Sequence, residues 1–433
     1  MGSEVKALLD GSRKNFSGAG TAVSGALALT VGATLALLPL RMLISKRWLS
    51  FLQRPRLGQC VHISPGADSL LTAGGEPLHV VHASDLHCGS TRFKTTALLV
   101  TWMQLKVDES IHAVVLSGDL TDNGSQEGWD ALLKGGAIEN FRAKLVLAPG
   151  NHDINLVYES VWKSLFRLEG PRRTGANARA LRYLRAASAV MGERAWVLCP
   201  YSGAFATLQS TMARAAEDLA SWNEGLDKPR KASLLPLQLF ERLFPMAVAV
   251  SNSDGNPQRV RFIVWNSVKQ NEWPAFNAIE EVEKDQFERA ERLVAWLGAD
   301  TPLVHVMHHQ IGLPPPGSGR RVKGMSAWRR LTTAGMAMQN PGEVLDWLGA
   351  RTQRTVVLHG HHHKLFMLDS PDAKATIVSA PSMTLGCEES FFNGSEPGPK
   401  GRWLKLTLEV IGAETLVRRV DVEEWSSGRL GAK

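Results

Sequence analysis

Cysteine is scarce in this sequence and is not arranged in pairs. The four cysteines, Cys60, Cys88, Cys199 and Cys387, lie far apart and form no Cys-x-x-Cys motif. A disulfide framework and a thiolate zinc site are therefore disfavoured, and a reducing compartment is favoured. Internal repeats and low-complexity tracts are also missing from the sequence.

The composition has no strong bias, with 44% hydrophobic and 21% charged residues. This balance excludes a fibrous, collagen-like or largely disordered chain. A length of 433 residues allows one large domain or two to three smaller ones. The net charge of +7 permits an anionic partner such as phosphate, nucleic acid or an acidic membrane, without choosing among them. The unusual count is that of histidine, with 13 residues.

A stretch without charged residues runs from Asn15 to Leu40. Its apolar part, Ala22–Leu38, is about 17 residues long, the lower end of what spans a bilayer as a helix. We therefore expect an N-terminal segment, residues 1–58, with a membrane anchor at about 22–40. Because more Lys and Arg follow the stretch than precede it, the positive-inside rule places the larger, C-terminal part of the chain in the cytoplasm. An export signal and a soluble cytoplasmic protein stay open as alternatives.

Apolar β-type runs alternate with helix-like segments from residue 78 onward, which indicates an α/β architecture. Strands are predicted at residues 78–83, 113–116, 144–148, 261–268, 303–307, 354–358, 364–368, 375–378, 403–410 and 414–420, and helices at 93–107, 282–297 and 342–348. The alternation breaks over residues 154–258, which are helix-prone and rich in arginine. We interpret this stretch as a helical cap inserted in a domain that spans residues 77–423. A solvated insertion whose charge serves no specific role is the alternative.

Five short polar motifs follow predicted strands. They are Asp85-Leu86-His87, Gly118-Asp119-Leu120-Thr121-Asp122, Gly150-Asn151-His152-Asp153, His308-His309 and Gly360-His361-His362-His363. Because ligands collect at the carboxyl ends of strands in open α/β sheets, the motifs would bring their side chains to one place. Mixed imidazole and carboxylate groups suit Mn, Fe, Zn, Co or Ni better than Ca or Mg, and seven ligands are too many for one tetrahedral zinc. A carboxylate bridging two cations would create a site that polarises a phosphoryl group.

The set of motifs resembles that of the calcineurin-like metallophosphoesterase superfamily, whose pattern is DxH, GD, GNH(D/E), H and GHxH. The resemblance implies a four-layer αββα sandwich, in which two mixed β-sheets are flanked by helices, with two divalent or trivalent ions (Mn, Fe, Zn or Ni) at one edge. By the resemblance, the ligands of the first ion are Asp85, His87 and His363, those of the second are Asn151, His308 and His361, and Asp119 bridges the two ions.

The resemblance also implies two catalytic residues outside the ligand set. His152 would lie over the phosphate and protonate the leaving alkoxide as general acid, and Asp122 matches the position that orients this histidine. His309 is expected to line the substrate pocket or to support a ligand, and Asn123 is the second pocket candidate. Phosphoprotein phosphatases carry arginine where Asn123 and Asp153 stand, so their phosphate clamp is absent. The motifs look more like those of the cyclic-nucleotide and phosphodiester-cleaving branch.

The predicted function is hydrolysis of a phosphodiester, a cyclic nucleotide or another small phosphoester by metal-hydroxide attack. The alternatives are a nuclease of the same superfamily, a phosphoesterase acting on lipid headgroups at a membrane, and a membrane-tethered binding protein without activity. Nucleic acid is the less favoured partner because aromatic residues are sparse among the arginines of residues 167–185. A membrane contact is expected through the N-terminal segment, and the oligomeric state is left open.

Overall fold

The structure is a computed structural model that describes most of the chain beyond residue 75. The described ranges are 76–89, 107, 109–134, 138–155, 172–221, 234–251, 257–268, 281–311, 338–361, 363, 365–383 and 400–426. The N-terminal segment 1–58, with the expected anchor at 22–40, lies outside them, as does the helix expected at 93–107 apart from its last residue. Both stay predictions. Within the described ranges, no helix has the length and apolar character needed to cross a membrane.

Thirteen strands of the described chain form two mixed sheets. The strands are β1 Glu76–Ala83, β2 Ala113–Ser117, β3 Leu145–Ala148, β4 Ala195–Leu198, β5 Phe205–Thr207, β6 Met246–Ser251, β7 Pro257–Val264, β8 Leu303–Val306, β9 Thr355–His359, β10 Phe366–Ser370, β11 Ala375–Ser379, β12 Lys400–Ile411 and β13 Glu414–Ser426. One sheet has the order β13-β12-β1-β2-β3, and the other has the order β10-β11-β9-β8-β7-β6-β4-β5.

Helices flank these sheets. In the described ranges they are α1 Gln126–Leu133, α2 Asn151–Ile154, α3 Arg172–Met191, α4 Leu208–Arg214, α5 Ala216–Ser221, α6 Pro236–Leu243, α7 Lys284–Leu297 and α8 Pro341–Gly349, with a 3-10 helix at Glu139–Lys144. The long helix α3 packs against β3, α1, α2 and α6. The predicted sandwich of two mixed sheets flanked by helices is thereby confirmed.

Parallel strands form one side of the first sheet and lie inside the second. β1, β2 and β3 run parallel to one another in the first sheet, and β7, β8, β9 and β11 do so in the second. Every residue of β2, β3, β8 and β9 is buried, which explains their nearly continuous apolar runs. Because parallel strands end at a common edge, the loops that follow them lie side by side.

Two apolar clusters bury the faces of these strands. The larger cluster joins residues of both sheets with α1, α3 and α6. The smaller cluster lies where α7 and α8 meet the eight-stranded sheet, and it includes Ile263, Leu293 and Leu345. On β9, Val356 and Leu358 belong to the larger cluster and Val357 to the smaller. The alternation of a strand's side chains thus buries both faces of the second sheet.

The expected helical cap at 154–258 is wrong for part of its length. Residues 172–191 form the predicted kind of helix, but β4, β5 and β6 extend the eight-stranded sheet from β7 outward. The runs Ala195–Leu198 and Met246–Ser251 are rich in alanine and valine, and they pair antiparallel with each other, with β6 also pairing with β7. Sheet pairing and burial outweigh the helix-prone composition of the surrounding sequence.

A buried imidazole in the second sheet makes the stability of the fold dependent on pH. His305 accepts a hydrogen bond at Nδ1 from Trp265 Nε1 over 3.1 Å, and burial, with a smaller effect of Arg351, lowers its pKa to about 3. The unfolded chain takes up this proton below pH 6.5, whereas the folded chain does not. The contribution of His305 to the free energy of unfolding should therefore be fully present above pH 6.5, and it should fall by about 1.4 kcal/mol per pH unit between pH 6.5 and about 3.

The variant His305→Asn, which cannot titrate in this range, should show a shallower fall than the wild type between pH 6.5 and 4. Urea unfolding of the metal-free protein at several pH values measures both slopes. Equal slopes for the two proteins would contradict the assigned role of His305.

Candidate metal centre

The loops after five strands deliver the predicted site residues. Asp85 and His87 follow β1, Asp119 follows β2, and Asn151 and His152 begin α2 after β3. The remaining candidates follow β8 and β9 and are His308, His309, His361 and His363. The first three of these strands belong to one sheet and the last two to the other. The site therefore lies where the carboxyl edges of the two sheets meet.

The backbone of these loops is held in an uncommon conformation. Among the described residues, six that are not glycine have positive φ, and five of them are candidate ligands: Asp85, His87, Asp119, His361 and His363, with φ between 48° and 71°. Left-handed backbone is costly for residues with a Cβ, and it persists where surrounding structure enforces it. Such a concentration of unfavourable conformations at one edge points to a functional site.

Asp119 occupies the centre of the cluster. Its Oδ2 lies 3.2 Å from His308 Nε2 and 3.9 Å from His152 Nε2. Its Oδ1 accepts a hydrogen bond from the backbone N–H of His152 over 2.8 Å. Asp119 forms one compact group with His87 and His152 and another with Asp85 and His308, and within each group the ligand atoms lie within 4.8 Å of one another. It is thus placed where a bridging carboxylate is needed.

The first set of expected ligands is assembled on one side of Asp119. Asp85, His87 and His363 form a group with all ligand atoms within 4.8 Å. His363 Nε2 lies 3.2 Å from Asp85 Oδ1. Asp85 and His87 are buried, and His363 is partly exposed.

The second set surrounds the Nε2 atom of His308. This atom lies 3.2 Å from Asn151 Oδ1 and 3.3 Å from His361 Nδ1, in addition to its contact with Asp119. The other ring nitrogen, Nδ1, donates to the Ser117 carbonyl over 2.8 Å, because a carbonyl can only accept. Nε2 of the neutral ring therefore carries the lone pair that a metal needs.

His309, expected to line the pocket or to support a ligand, lies among the candidate ligands. It joins His308 and His361 in a group with all ligand atoms within 4.8 Å, and its Nε2 lies 3.3 Å from Asn151 Oδ1. Its Nδ1 is 2.7 Å from Ser267 Oγ. The side chain is fully buried, so it takes part in the cluster or supports Asn151 rather than forming an open pocket wall.

The electrostatics of the cluster follow from its two buried carboxylates. Burial acts to raise the pKa of Asp119, but His308 and His152 outweigh it and hold this pKa well below its usual range. The pKa of Asp85 is likewise lowered, because His363 and His308 outweigh burial. In return, Asp119 overcomes the effect of burial and raises the pKa of His308 to about 10. Asp85 and Asp119 therefore stay ionised, and their negative charge favours a cation beside them.

These residues fit a pair of transition-metal ions. Ligand atoms about 2.1 Å from one ion are about 3.0–3.4 Å apart, the edge of an octahedron or tetrahedron. The separations of 3.2 and 3.3 Å around His308 Nε2 match that edge. Imidazole nitrogens, carboxylates and an amide oxygen are also the donors that Mn, Fe, Zn and Ni accept.

Asp153 ties two of the site loops together, a role that the sequence analysis did not assign. Its carboxylate accepts hydrogen bonds from the backbone N–H groups of Leu120, Thr121 and Gly150 and from the Thr121 hydroxyl, over 2.8 to 3.2 Å. Gly150 must lack a side chain, because a Cβ there would lie 2.0 Å from the Asp119 backbone nitrogen. We call these four hydrogen bonds the Asp153 clamp. In the sequence, the only sign of it was an acidic residue directly after Asn151-His152.

Asp122 contacts His152 through its backbone carbonyl. His152 Nδ1 lies 2.8 Å from the Asp122 carbonyl oxygen and must donate to it. The Asp122 carboxylate instead lies 3.5 Å from His87 Nδ1. The two residues are thus in contact, and the orienting and catalytic roles of Asp122 stay predictions.

Asn123 and Ser267 are two further polar residues near the site, and they have different contacts. Asn123, a pocket candidate, is exposed, and its Oδ1 accepts from the Ser125 N–H over 3.0 Å, so it caps a turn. Ser267 contacts His309 and was not predicted. It follows Asn266, whose backbone N–H and C=O are both bonded by the buried Gln286 side chain of α7. A polar pair at the end of an apolar strand was the available signal for Ser267.

The sandwich and its edge cluster define a metal-dependent hydrolase. A model of the calcineurin-like phosphoesterase family matches residues 78–365, about two thirds of the chain. The chain belongs to the calcineurin-like phosphoesterase family, as the motifs indicated. The comparison with curated proteins yields no match.

Solved structures offer distant likenesses. A dimetal phosphatase from Danio rerio is 12% identical, covering 81% of this chain and 100% of that chain with a TM-score of 0.36. The calcineurin-like phosphoesterase YfkN from Bacillus subtilis is 14% identical, covering 81% and 91% with a TM-score of 0.34. The purple acid phosphatase PPD1 from yellow lupin is 11% identical, covering 83% and 55% with a TM-score of 0.39. At these values the likenesses carry no argument about substrate.

Removing the Asp153 clamp should destabilise the protein strongly. Asp153→Ala leaves three buried N–H groups and a hydroxyl without this acceptor, so we expect a loss of at least about 3 kcal/mol in the free energy of unfolding. Asp153→Asn keeps one acceptor oxygen and should lose less. Chemical denaturation monitored by fluorescence measures the change.

The matched control is Asp130→Ala, which removes an exposed carboxylate paired with Lys134 and should leave stability unchanged. A wild-type stability for Asp153→Ala would contradict the clamp.

Proposed function

We propose that this chain hydrolyses phosphodiesters with a pair of metal ions, and that His152 is the general acid. Asp85, His87 and His363 would hold one ion, Asn151, His308 and His361 the other, and Asp119 would bridge them. Bound there, the ions would supply Lewis acidity that polarises the phosphoryl group and activates water. The side chains of the protein would orient the ester, and His152 would transfer the proton to the leaving group.

The orientation of His152 is the observation that carries the general-acid assignment. Its Nδ1–H is committed to the Asp122 carbonyl, so Nε2 is the nitrogen that takes up and releases a proton. Nε2 faces Asp119 at 3.9 Å, and the ring stands edge to face with His87 at 4.6 Å between centroids. The side chain is 24% exposed, whereas that of Asp119 is 3% exposed. His152 therefore lies between the cluster and solvent, where a leaving group would depart.

The side chains beside the motifs support a diester rather than a monoester. A diester carries one negative charge, so it needs fewer cationic groups than a monoester dianion. Where phosphoprotein phosphatases carry arginine, this chain has Asn123, which caps a turn, and Asp153, which binds the backbone of the loops. The alkoxide that leaves from an alkyl ester, whether a diester or a monoester, gives a protonated His152 its task.

The nuclease alternative loses part of its support. It relied on the arginines of residues 167–185 to track a nucleic-acid backbone. Arg179 is buried and donates to the Ile154 carbonyl over 3.0 Å, and Arg182 donates to the Gly124 carbonyl over 3.3 Å. These two arginines are engaged with loops of the protein itself.

Replacing His152 should separate proton transfer from metal binding. His152→Gln should lower kcat by about 10²- to 10⁴-fold on a diester with an alkyl alcohol leaving group, because that alkoxide needs a proton. The loss should be much smaller on bis(p-nitrophenyl) phosphate, whose phenolate leaves unaided. Steady-state kinetics and elemental analysis of the purified protein measure rate and metal content.

Asp119→Ala is the contrasting variant, which should lose metal as well as activity. Equal losses on both diesters for His152→Gln, or a loss of metal, would remove His152 from the role of acid.

A further inference from the structure

Two arginines of helix α3 contact the loops that surround His152. Arg179 is 8% exposed, and its Nε donates to the carbonyl of Ile154, two residues beyond His152 on α2. Arg182, one turn along α3, donates from Nη1 to the carbonyl of Gly124, two residues beyond Asp122. The two guanidinium groups thus contact both the helix that bears His152 and the turn that supplies its hydrogen-bond acceptor.

The contact with the turn is close as well as polar. Gly124 has φ of +64°, and a Cβ placed there would lie 2.4 Å from Arg179 Cδ and 2.4 Å from the Asp153 carbonyl oxygen. The stem of Arg179 therefore packs directly on the turn, with room only for glycine. Movement of the arginine side chain and movement of the turn are coupled by this packing.

Helix α3 is a firm support for these arginines. The hydroxyl of Tyr183, fully buried, donates to the Leu147 carbonyl of β3 over 3.0 Å. Asn177 accepts from the Leu237 N–H at the start of α6 over 3.0 Å. The helix is thus tied to the sheet and to its neighbour independently of the site loops, and it can fix their position.

We propose that Arg179 and Arg182 are positioning residues for His152. They hold the turn 122–124 and the end of α2 in register, so that the Asp122 carbonyl accepts from His152 Nδ1 and Nε2 faces the metal centre. The arginine-rich stretch thereby acts on the protonation of the leaving group without touching substrate. This inference rests on the proposed general-acid role for its kinetic consequence, but not for its effect on the ring of His152.

The first test reads the His152 ring directly. In protein labelled with 15N-histidine and loaded with Zn2+, the His152 signals are assigned by their loss in His152→Gln. At a pH at which the ring is neutral, the wild type should show the tautomer with the proton on Nδ1. Arg182→Gln should convert it to a mixture of tautomers, and Arg182→Lys, which keeps a donor, should fall between. An unchanged tautomer in Arg182→Gln would overturn the proposal, whatever the activity of the protein.

The second test uses the two diesters named above. Arg182→Gln should lower kcat about tenfold on the alkyl diester, a part of the full general-acid contribution, and change it less than about twofold on bis(p-nitrophenyl) phosphate. Metal content should stay at the wild-type value. Arg179→Lys, which keeps the charge of a buried position, should show the same selectivity. Arg185→Gln, on the exposed face of α3, is the control and should match the wild type on both substrates.

A merely structural role for Arg182 would lower both rates equally or release metal, and either result would overturn the proposal. A wild type that hydrolyses neither diester would instead reject the proposed function, while the tautomer measurement still decides the role of the arginines.

Discussion

The negative charge of two buried carboxylates is the constraint on which the rest of the site depends. Asp85 and Asp119 are both almost completely buried where the two sheets meet. Burying such charge is costly unless cations or donors face it. Imidazole groups from β8 and β9 face both carboxylates, and the metal ions of the family would take over the same charge. The first sheet thus supplies both carboxylates, and imidazoles from the loops of both sheets neutralise them.

Holding those groups together requires an unfavourable backbone, and the surrounding structure stabilises it. Asp119 and His361 sit in left-handed conformations that isolated loops would leave. The Asp153 carboxylate bonds the loops after β2 and β3 to each other, and the arginines of α3 bond the outer side of the same loops. The loops of the site are therefore bound both by the Asp153 carboxylate and by the guanidinium groups of Arg179 and Arg182, so α3 is part of the structure that supports the site.

Ten of the thirteen described strands were predictable from the sequence, because apolar runs are local signals, and the strand-end motifs pointed to the candidate ligands through their resemblance to the family pattern. The outward extension of the second sheet was not, since Ala195–Leu198 becomes a strand only by pairing with β6. Nor were the roles of Asp153 and Ser267, whose partners Thr121 and His309 lie 32 and 42 residues away. The route from Asp122 to His152 was likewise hidden, because it runs through a backbone carbonyl rather than the expected side chain.

The central claim, a pair of ions bridged by Asp119, is tested most directly by electron paramagnetic resonance of the protein loaded with Mn2+. A bridging carboxylate couples the spins of two neighbouring ions. We therefore expect two Mn2+ per chain and the multiline signal of an exchange-coupled pair. A simple six-line signal from isolated Mn2+ at full loading, or binding of a single ion, would contradict the account.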